Sequence, residues 1–127
     1  MRKITLRPAV PGEEARWLFW DHYLPRERFR ELTETGRALW ICGGEEKAGL
    51  LRWGYFWDEI PFLNLIWLHE SCRGKGAGRA AMALWEDSLR KAGCRAAMTS
   101  TQADEGAQHF YRKLGYSKID TWVQARL

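Results

Sequence analysis

The chain has 127 residues, of which 46% are hydrophobic and 28% charged, with a formal net charge of +4. This length and balance predict one soluble globular domain over residues 1–127 and exclude a low-complexity chain. Acidic and basic residues interleave without a basic run, so we expect no nucleic-acid partner.

The remaining composition predicts a cytoplasmic protein. Residues 1–8 lack the apolar segment of a signal peptide, and no apolar run is long enough to span a bilayer, so no membrane partner is expected. The three cysteines have neither metal-ligand nor redox spacing, which fits a reducing compartment and predicts no metal site.

Hydrophobic periodicity and turn residues predict an alternation of strands and helices. In chain order these are a strand over 4–7, helices over about 13–23 and 25–36, strands over 38–42, 47–57 and 62–68, a helix over 79–92, a strand over 96–101, a helix over 104–114 and a strand over 116–124. Gly49 and Gly54 are candidate bulge positions in the long strand.

This order predicts an α/β fold. Strand–helix–strand units near the C-terminus call for right-handed parallel crossovers, whereas the hairpins require antiparallel pairs. We therefore expect a central twisted mixed sheet of about six to seven strands, flanked by about four helices.

The segment Arg73-Gly74-Lys75-Gly76-Ala77-Gly78 lies between the predicted strand over 62–68 and the predicted helix over 79–92. Glycines let successive backbone N–H groups converge on one group of oxygen atoms, and a helix N-terminus adds about half a positive charge. Arg73 and Lys75 add full charges. The segment therefore predicts a site for a phosphorylated ligand.

Other glycine-rich sites fit this segment less well. Residues 76–81 match the Gly-x-Gly-x-x-Gly/Ala pattern of dinucleotide-binding turns, but seven residues separate the predicted strand from Gly76, whereas that pattern belongs to a tight turn. A Walker loop requires Ser or Thr after Gly-Lys, and here Gly76 follows Lys75.

Two motifs together indicate a family. The Arg73-x-x-Gly76-x-Gly78 pattern resembles the Arg/Gln-x-x-Gly-x-Gly/Ala signature of the GNAT superfamily, the Gcn5-related N-acetyltransferases. Residues 107–116, Ala-Gln-His-Phe-Tyr-Arg-Lys-Leu-Gly-Tyr, are similar to the family's Ala-x-x-Phe-Tyr-x-Lys-x-Gly-Phe/Tyr block. The predicted order of elements matches the family along essentially the whole chain.

The resemblance implies acetyl-CoA as cosubstrate. Its pyrophosphate would lie on the backbone amides of residues 73–78, the site already predicted from the residues. The pantetheine arm would run beside the strand ending at Leu68, whose backbone N–H would face the thioester carbonyl. The family often has Asn at the position of Asp104, so Asp104 is expected either to contact the cofactor or only to cap a helix.

The resemblance also implies a general acid at Tyr111. A phenol is protonated at neutral pH and can donate a proton to the leaving thiolate. The general base is not defined by the sequence. Glu70 is the preferred candidate, where the family commonly has Pro, and the alternatives are Glu59, Asp58, His69 or a chain of water molecules. Asn64, on the predicted strand, is a further candidate for orienting a water molecule or the substrate amine.

The aromatic segment 53–57 has two interpretations. Alternation places Trp53, Tyr55 and Trp57 on one face of a strand. These rings either pack under the helices or form an acceptor pocket for a cationic amine, with Asp58 and Glu59 at its rim.

The resemblance therefore implies an N-acetyltransferase that transfers an acetyl group from acetyl-CoA to a primary amine, and we expect the amine of a small molecule. The alternatives are a protein N-terminal or lysine acetyltransferase and a non-catalytic acyl-CoA-binding protein of the same fold. A homodimer is expected from the resemblance alone.

Overall fold

The computed structural model describes residues 2–100 and 107–117. It confirms the α/β class, and within these residues one mixed sheet contains five strands. The strands are β1 (Ile4–Pro8), β2 (Ala38–Gly43), β3 (Glu46–Phe56), β4 (Ile60–Leu68) and β5 (Met98–Thr99), and the helices are α1 (Glu14–Trp20), α2 (Arg26–Glu34), α3 (Ala77–Lys91) and α4 (Ala107–Lys113). Most of the predicted strand over 116–124 lies outside the described residues.

The strands lie in the order β1-β2-β3-β4-β5, so each strand pairs with its neighbour in sequence. The first four are antiparallel, and β5 is parallel to β4 after the crossover through α3. This arrangement confirms the predicted combination of hairpins and a parallel strand–helix–strand unit.

The sheet has a hydrophobic core on each face. The first core joins the sheet to α1 and α2 and includes the fully buried Trp17, Phe29 and Trp40. The second core joins the other face to α3 and α4, and its largest fully buried side chain is Trp85. Because both faces are covered, the central strands are apolar along most of their length.

A buried ion pair ties α1 to the sheet. Asp21, which is only 5% exposed, accepts hydrogen bonds from Trp17 Nε1 at 3.0 Å and from Arg52 Nε at 2.7 Å. These two donors satisfy a carboxylate that would otherwise be costly to bury. The bond to Arg52 therefore fixes the end of α1 over β3.

Two bulges interrupt the ladders at positions that differ from the predicted ones. Between β2 and β3 the extra residue is Ala48, next to the predicted Gly49. Between β3 and β4 the extra residue is Asn64 on β4, so the prediction of a bulge at Gly54 is wrong. As a result Leu63 packs in the second core and Leu65 against the first, although strict alternation would place them on the same face.

The predicted aromatic row on β3 is only partly formed. The rings of Trp53 and Tyr55 contact each other at 5.3 Å, but Trp53 also packs against Trp85, 6.0 Å away in the second core. Trp57 lies in the turn after β3, with φ of 52°, and is 80% exposed. Placing Trp57 in the row was therefore wrong, because the chain leaves the strand at Phe56.

Gly49 allows β3 and β4 to approach each other closely. A Cβ atom at this position would lie 2.1 Å from the backbone oxygen of Trp67, which no ordinary side chain tolerates. Directly beside it, the N–H of His69 donates to the carbonyl of Ala48 at 2.8 Å. The end of β4 is therefore held tightly against β3.

Replacing Gly49 with Ala should lower the free energy of unfolding by about 3 kcal/mol, because β4 must shift to relieve the clash. Urea unfolding followed by tryptophan fluorescence would measure this change. Gly43→Ala is the matched control, since a Cβ at this β2 glycine has only Ile4 Cδ1 nearby, at 3.8 Å. Equal effects of the two substitutions would contradict the close approach.

Candidate active site

The glycine-rich segment forms an open loop at the start of α3. After a short 3₁₀ turn (Glu70–Cys72), Gly74 and Gly76 adopt φ of 75° and 83°, and Gly76 is the N-cap of α3. A Cβ at either glycine would have no atom within 4 Å. The first turn of α3 contains no acidic side chain. No side chain caps the N–H groups at this end of α3, which lie at the positive end of the helix dipole.

Charged and buried residues divide this loop into two parts. Arg73 and Lys75 are exposed, whereas Ala77 and Gly78 are buried against the protein. A Cβ at Gly78 would lie 3.5 Å from both Leu68 Cδ1 and the ring of Phe110. The predicted cofactor residues from Leu68 to Gly78 are thus contiguous in space, and the start of α3 packs where β4 ends.

The outer edge of β4, opposite β3, leads to the glycine loop. Among the described residues, β5 pairs with β4 at Phe62 and Leu63. Since the N–H of His69 points to β3, strand alternation directs the N–H and C=O of Leu68 toward the outer edge, and those of Ile66 likewise. Outward-directed backbone groups of this kind can bind an extended chain as an additional strand.

Arg73 reaches back from the loop to this edge. Its Nε donates to the carbonyl oxygen of Leu68 at 2.9 Å, and its guanidinium lies 5.8 Å from the ring centroid of Trp67. The Arg73 side chain thus forms a hydrogen bond with the carbonyl oxygen of Leu68 and does not involve the N–H of Leu68.

His69 and Glu70 follow directly after β4. His69 Nδ1 accepts a hydrogen bond from the N–H of Ser71 at 3.2 Å and lies 2.8 Å from Ser71 Oγ. The ring of His69 also contacts those of Trp20 and Trp67, with centroid distances of 5.9 and 6.3 Å. Glu70 is exposed in the 3₁₀ turn that leads to the glycine loop.

Tyr111 lies on α4 and packs against the second core. It is half-buried, and its ring contacts those of Phe110 and Tyr116 at 5.3 and 5.7 Å. Phe110 in turn contacts the start of α3 next to Leu68. The helix that carries Tyr111 is thus docked at the glycine loop. Asp104, the remaining predicted cofactor residue, lies outside the described residues.

Arg37 and Asn64 lie close together over Gly54, an arrangement that the sequence did not reveal. Arg37 precedes β2, and its Nη1 would lie 3.3 Å from a Cβ at Gly54, while Asn64 Oδ1 would lie 3.2 Å from the same point. The two polar groups come from the segments on either side of β3. No local motif signals this pairing, because it depends on three separate parts of the chain.

The sequence model of the acetyltransferase (GNAT) family matches residues 7–116. The chain therefore belongs to the GNAT family and is an acetyl-CoA-dependent acyltransferase. A search of curated proteins gave no match.

Solved structures share the fold at low sequence identity. Ard1 from Thermoplasma volcanium has a TM-score of 0.78 at 16% identity, covering 92% of this chain and 84% of its own. The aminoglycoside antibiotic 6'-N-acetyltransferase AAC(6')-IG from Acinetobacter haemolyticus has a TM-score of 0.69 at 16% identity, with 97% of each chain covered. The aminoglycoside N-acetyltransferase AAC(6')-Iy, solved with CoA, has a TM-score of 0.72 at 16% identity, covering 100% of this chain and 96% of its own.

Across residues 2–100 and 107–117, no helix combines the length and apolar character needed to cross a membrane. In the same residues, no three His, Cys, Asp or Glu side chains gather in a way that could hold a metal ion.

Tyr116 fixes the end of α4 by donating a hydrogen bond from its hydroxyl to Glu86 Oε2 on α3 at 2.8 Å. Burial and this bond raise the pKa of Tyr116 above its ordinary value of 10.0. The unfolded chain therefore releases the phenolic proton at lower pH than the folded one does. The stabilisation from Tyr116 should be complete below about pH 10 and decline above it.

Comparing the wild type with Tyr116→Phe isolates this effect. The difference in free energy of unfolding between the two proteins should be constant from about pH 7 to 9 and shrink above about pH 10. Urea titrations across this range would measure it. A difference that stays constant to high pH would show that the hydroxyl is not held against Glu86.

Proposed function

We propose that this enzyme transfers the acetyl group of acetyl-CoA directly to a primary amine of a small molecule. The observation that carries the proposal is the open glycine loop at the start of α3, next to the end of β4, where the backbone N–H of Leu68 points away from β3. A diphosphate on the loop and a pantetheine arm beside β4 would bring the thioester toward this N–H. Structural neighbours named as aminoglycoside acetyltransferases support an amine acceptor.

The loop fits the diphosphate of CoA in shape and charge. Two glycines with positive φ leave the backbone uncovered, and the helix N-terminus supplies donors and partial positive charge. Lys75 is exposed beside them. Arg73 would either remain on Leu68 or turn to the diphosphate, and both arrangements place its charge at the loop.

In the proposed reaction the amine nitrogen attacks the thioester carbon. The C–N bond forms, the C–S bond breaks, the amine loses one proton and the leaving sulfur gains one. The backbone N–H of Leu68 would stabilise the developing oxyanion, a contribution of about 3 kcal/mol in comparable acyl transfers. Tyr111 would protonate the sulfur, and Glu70 would accept the proton of the amine, directly or through water.

Two other functions remain distinct from this proposal. A protein N-terminus or a lysine side chain could replace the small amine, since both present the same reacting group. A non-catalytic acyl-CoA-binding protein would use the glycine loop and the outer edge of β4 but would need no general acid. Tyr111 favours catalysis, because a binding protein has no need of a proton donor near the sulfur.

Gly76→Glu should weaken CoA binding by about 100-fold or more, because a carboxylate would stand against the diphosphate. Titration calorimetry with CoA would measure the dissociation constant. Gly93→Glu is the matched control: Gly93 has φ of 90°, its Cβ position is equally open, and it follows the other end of α3. Unchanged CoA affinity in Gly76→Glu would remove the diphosphate from this loop.

Tyr111→Phe should lower kcat by about 100-fold while the dissociation constant of CoA stays the same, since only the proton donor is lost. A thiol-release assay with acetyl-CoA and a panel of amines would measure kcat. Tyr116→Phe removes a neighbouring hydroxyl from the same cluster and should retain activity. CoA binding without turnover of any amine by the wild type would favour the non-catalytic alternative.

A further inference from the structure

The glycine loop is attached to β4 at two points, and both are on Leu68. Where the loop begins, Arg73 Nε donates to the carbonyl oxygen of Leu68 at 2.9 Å. Where it ends, Gly78 packs so closely that an added Cβ would lie 3.5 Å from Leu68 Cδ1. Between these points, Gly74 and Gly76 have open surroundings. The open part of the loop therefore spans two attachments to one residue of the strand.

The peptide group that joins Leu68 to His69 is held from both sides. The N–H of His69 donates to the carbonyl of Ala48 at 2.8 Å, and the carbonyl of Leu68 accepts the bond from Arg73. Because a trans peptide group directs its N–H and C=O in opposite directions, these bonds fix it from opposite edges of β4. The bond from Arg73 is thus on the outer edge of β4, where the pantetheine arm of CoA is proposed to lie.

Further contacts hold the Arg73 side chain in this place. Its guanidinium lies 5.8 Å from the ring centroid of Trp67, within the range of a cation–π contact, and Trp67 packs on Trp20 at 5.0 Å. The backbone N–H of Arg73 donates to the carbonyl of Glu70 at 3.3 Å. The ring and the turn both restrict the side chain, so the hydrogen bond to Leu68 costs less conformational entropy.

The carbonyl that Arg73 occupies is one that an extended ligand could otherwise use. Outward-directed backbone groups of a strand recur at every second residue, about 6.6 Å apart. At the end of β4 they belong to Leu68 and Ile66. A ligand that slipped from one set to the next would carry its thioester about 6.6 Å away from its place. With Arg73 already bonded to the carbonyl of Leu68, the amide N–H of an arm is directed to the carbonyl of Ile66.

We propose that Arg73 is a positioning residue: its side chain fixes the distance between the glycine loop and the outer edge of β4, and it sets the register at which the pantetheine arm pairs with that strand. Linking two binding groups raises affinity only when the linker matches the spacing of their sites. CoA carries its diphosphate and its amides in one chain, so it requires such a match. This inference rests on the proposed binding of CoA and assigns Arg73 a fixed donor in addition to its charge.

Substitutions at Arg73 separate the donor from the charge. The amide nitrogen of Gln occupies the same place along the side chain as Nε of Arg, so Arg73→Gln keeps an N–H donor and removes the charge. Arg73→Met has a similar length and removes both. Arg73→Lys keeps the charge but puts a methylene group at the position of Nε. The control is Arg90→Gln, which removes an arginine of the last turn of α3 that pairs with Asp87 at 2.9 Å.

Three ligands measure the two halves of the site and their connection, because dephospho-CoA joins ADP to pantetheine. Titration calorimetry gives the dissociation constant of dephospho-CoA, and competition against it gives those of the two fragments. Arg73→Met should weaken dephospho-CoA binding by about 10-fold more than the product of its effects on ADP and pantetheine. Arg73→Gln should weaken dephospho-CoA binding only as much as it weakens ADP binding, since it loses the charge alone.

Turnover reports the position of the thioester. With acetyl-CoA at saturation and an amine that the wild type acetylates, Arg73→Met should lower kcat by about 10-fold and Arg73→Gln should keep it near the wild-type value. Arg73→Lys should lose kcat as Arg73→Met does, although its affinity for ADP stays near that of the wild type. Arg90→Gln should match the wild type in every measurement.

The outcomes distinguish a positioning role from the alternatives. If all three substitutions at Arg73 change dephospho-CoA and ADP binding by the same factor, Arg73 acts through its charge and the proposal is overturned. A lower Tm in Arg73→Met, together with weaker binding of both fragments, would assign Arg73 to the fold and would overturn it as well. Failure of the wild type to bind dephospho-CoA would contradict the proposed function itself, and the role of Arg73 with it.

Discussion

The site depends on how the end of β4 is held against β3. Gly49 brings β3 into contact with the backbone of Trp67, and the N–H of His69 bonds to Ala48. Because alternate residues of a strand direct their backbone groups to opposite edges, this attachment leaves the backbone groups of Leu68 facing away from β3. Arg73 bonds to the carbonyl oxygen of Leu68, and the N–H of Leu68 lies next to the glycine loop, where it suits an extended ligand.

The bulge at Asn64 changes the register of β4 without loss of core packing. With one extra residue, Leu63 and Leu65 each bury their side chains although they pack on opposite faces. Beyond the bulge, Leu65 and Trp67 pack against the first core, and Ile66 and Leu68 against the second. β4 is therefore fixed from both faces and from β3, which sets the position of Leu68 beside the glycine loop.

The sequence predicted the parts of the site that are local and missed those that join distant segments. The glycine loop and the end of its strand at Leu68 could be identified because turn residues, charge and helix start are consecutive. A bulge was predicted at Gly54 on β3, since glycine permits irregular backbone. The extra residue is instead Asn64 on β4, because its apolar neighbours Leu63 and Leu65 pack in opposite cores. The approach of Arg37 to Asn64 over Gly54 depends on how the sheet pairs three separate segments, and the periodicity of the sequence does not predict it.

The net charge of +4 is less informative than the positions of the cations. Ion pairs neutralise several of the basic side chains, including Arg52 inside the fold. At the glycine loop, Arg73 and Lys75 are exposed around a helix N-terminus whose first turn contains no acidic side chain. Screening in water confines the influence of such charges to about 10 Å. Because the two side chains and the start of α3 are neighbours along the chain, their fields add at this loop and favour an anionic group there, although the net charge of the protein is small.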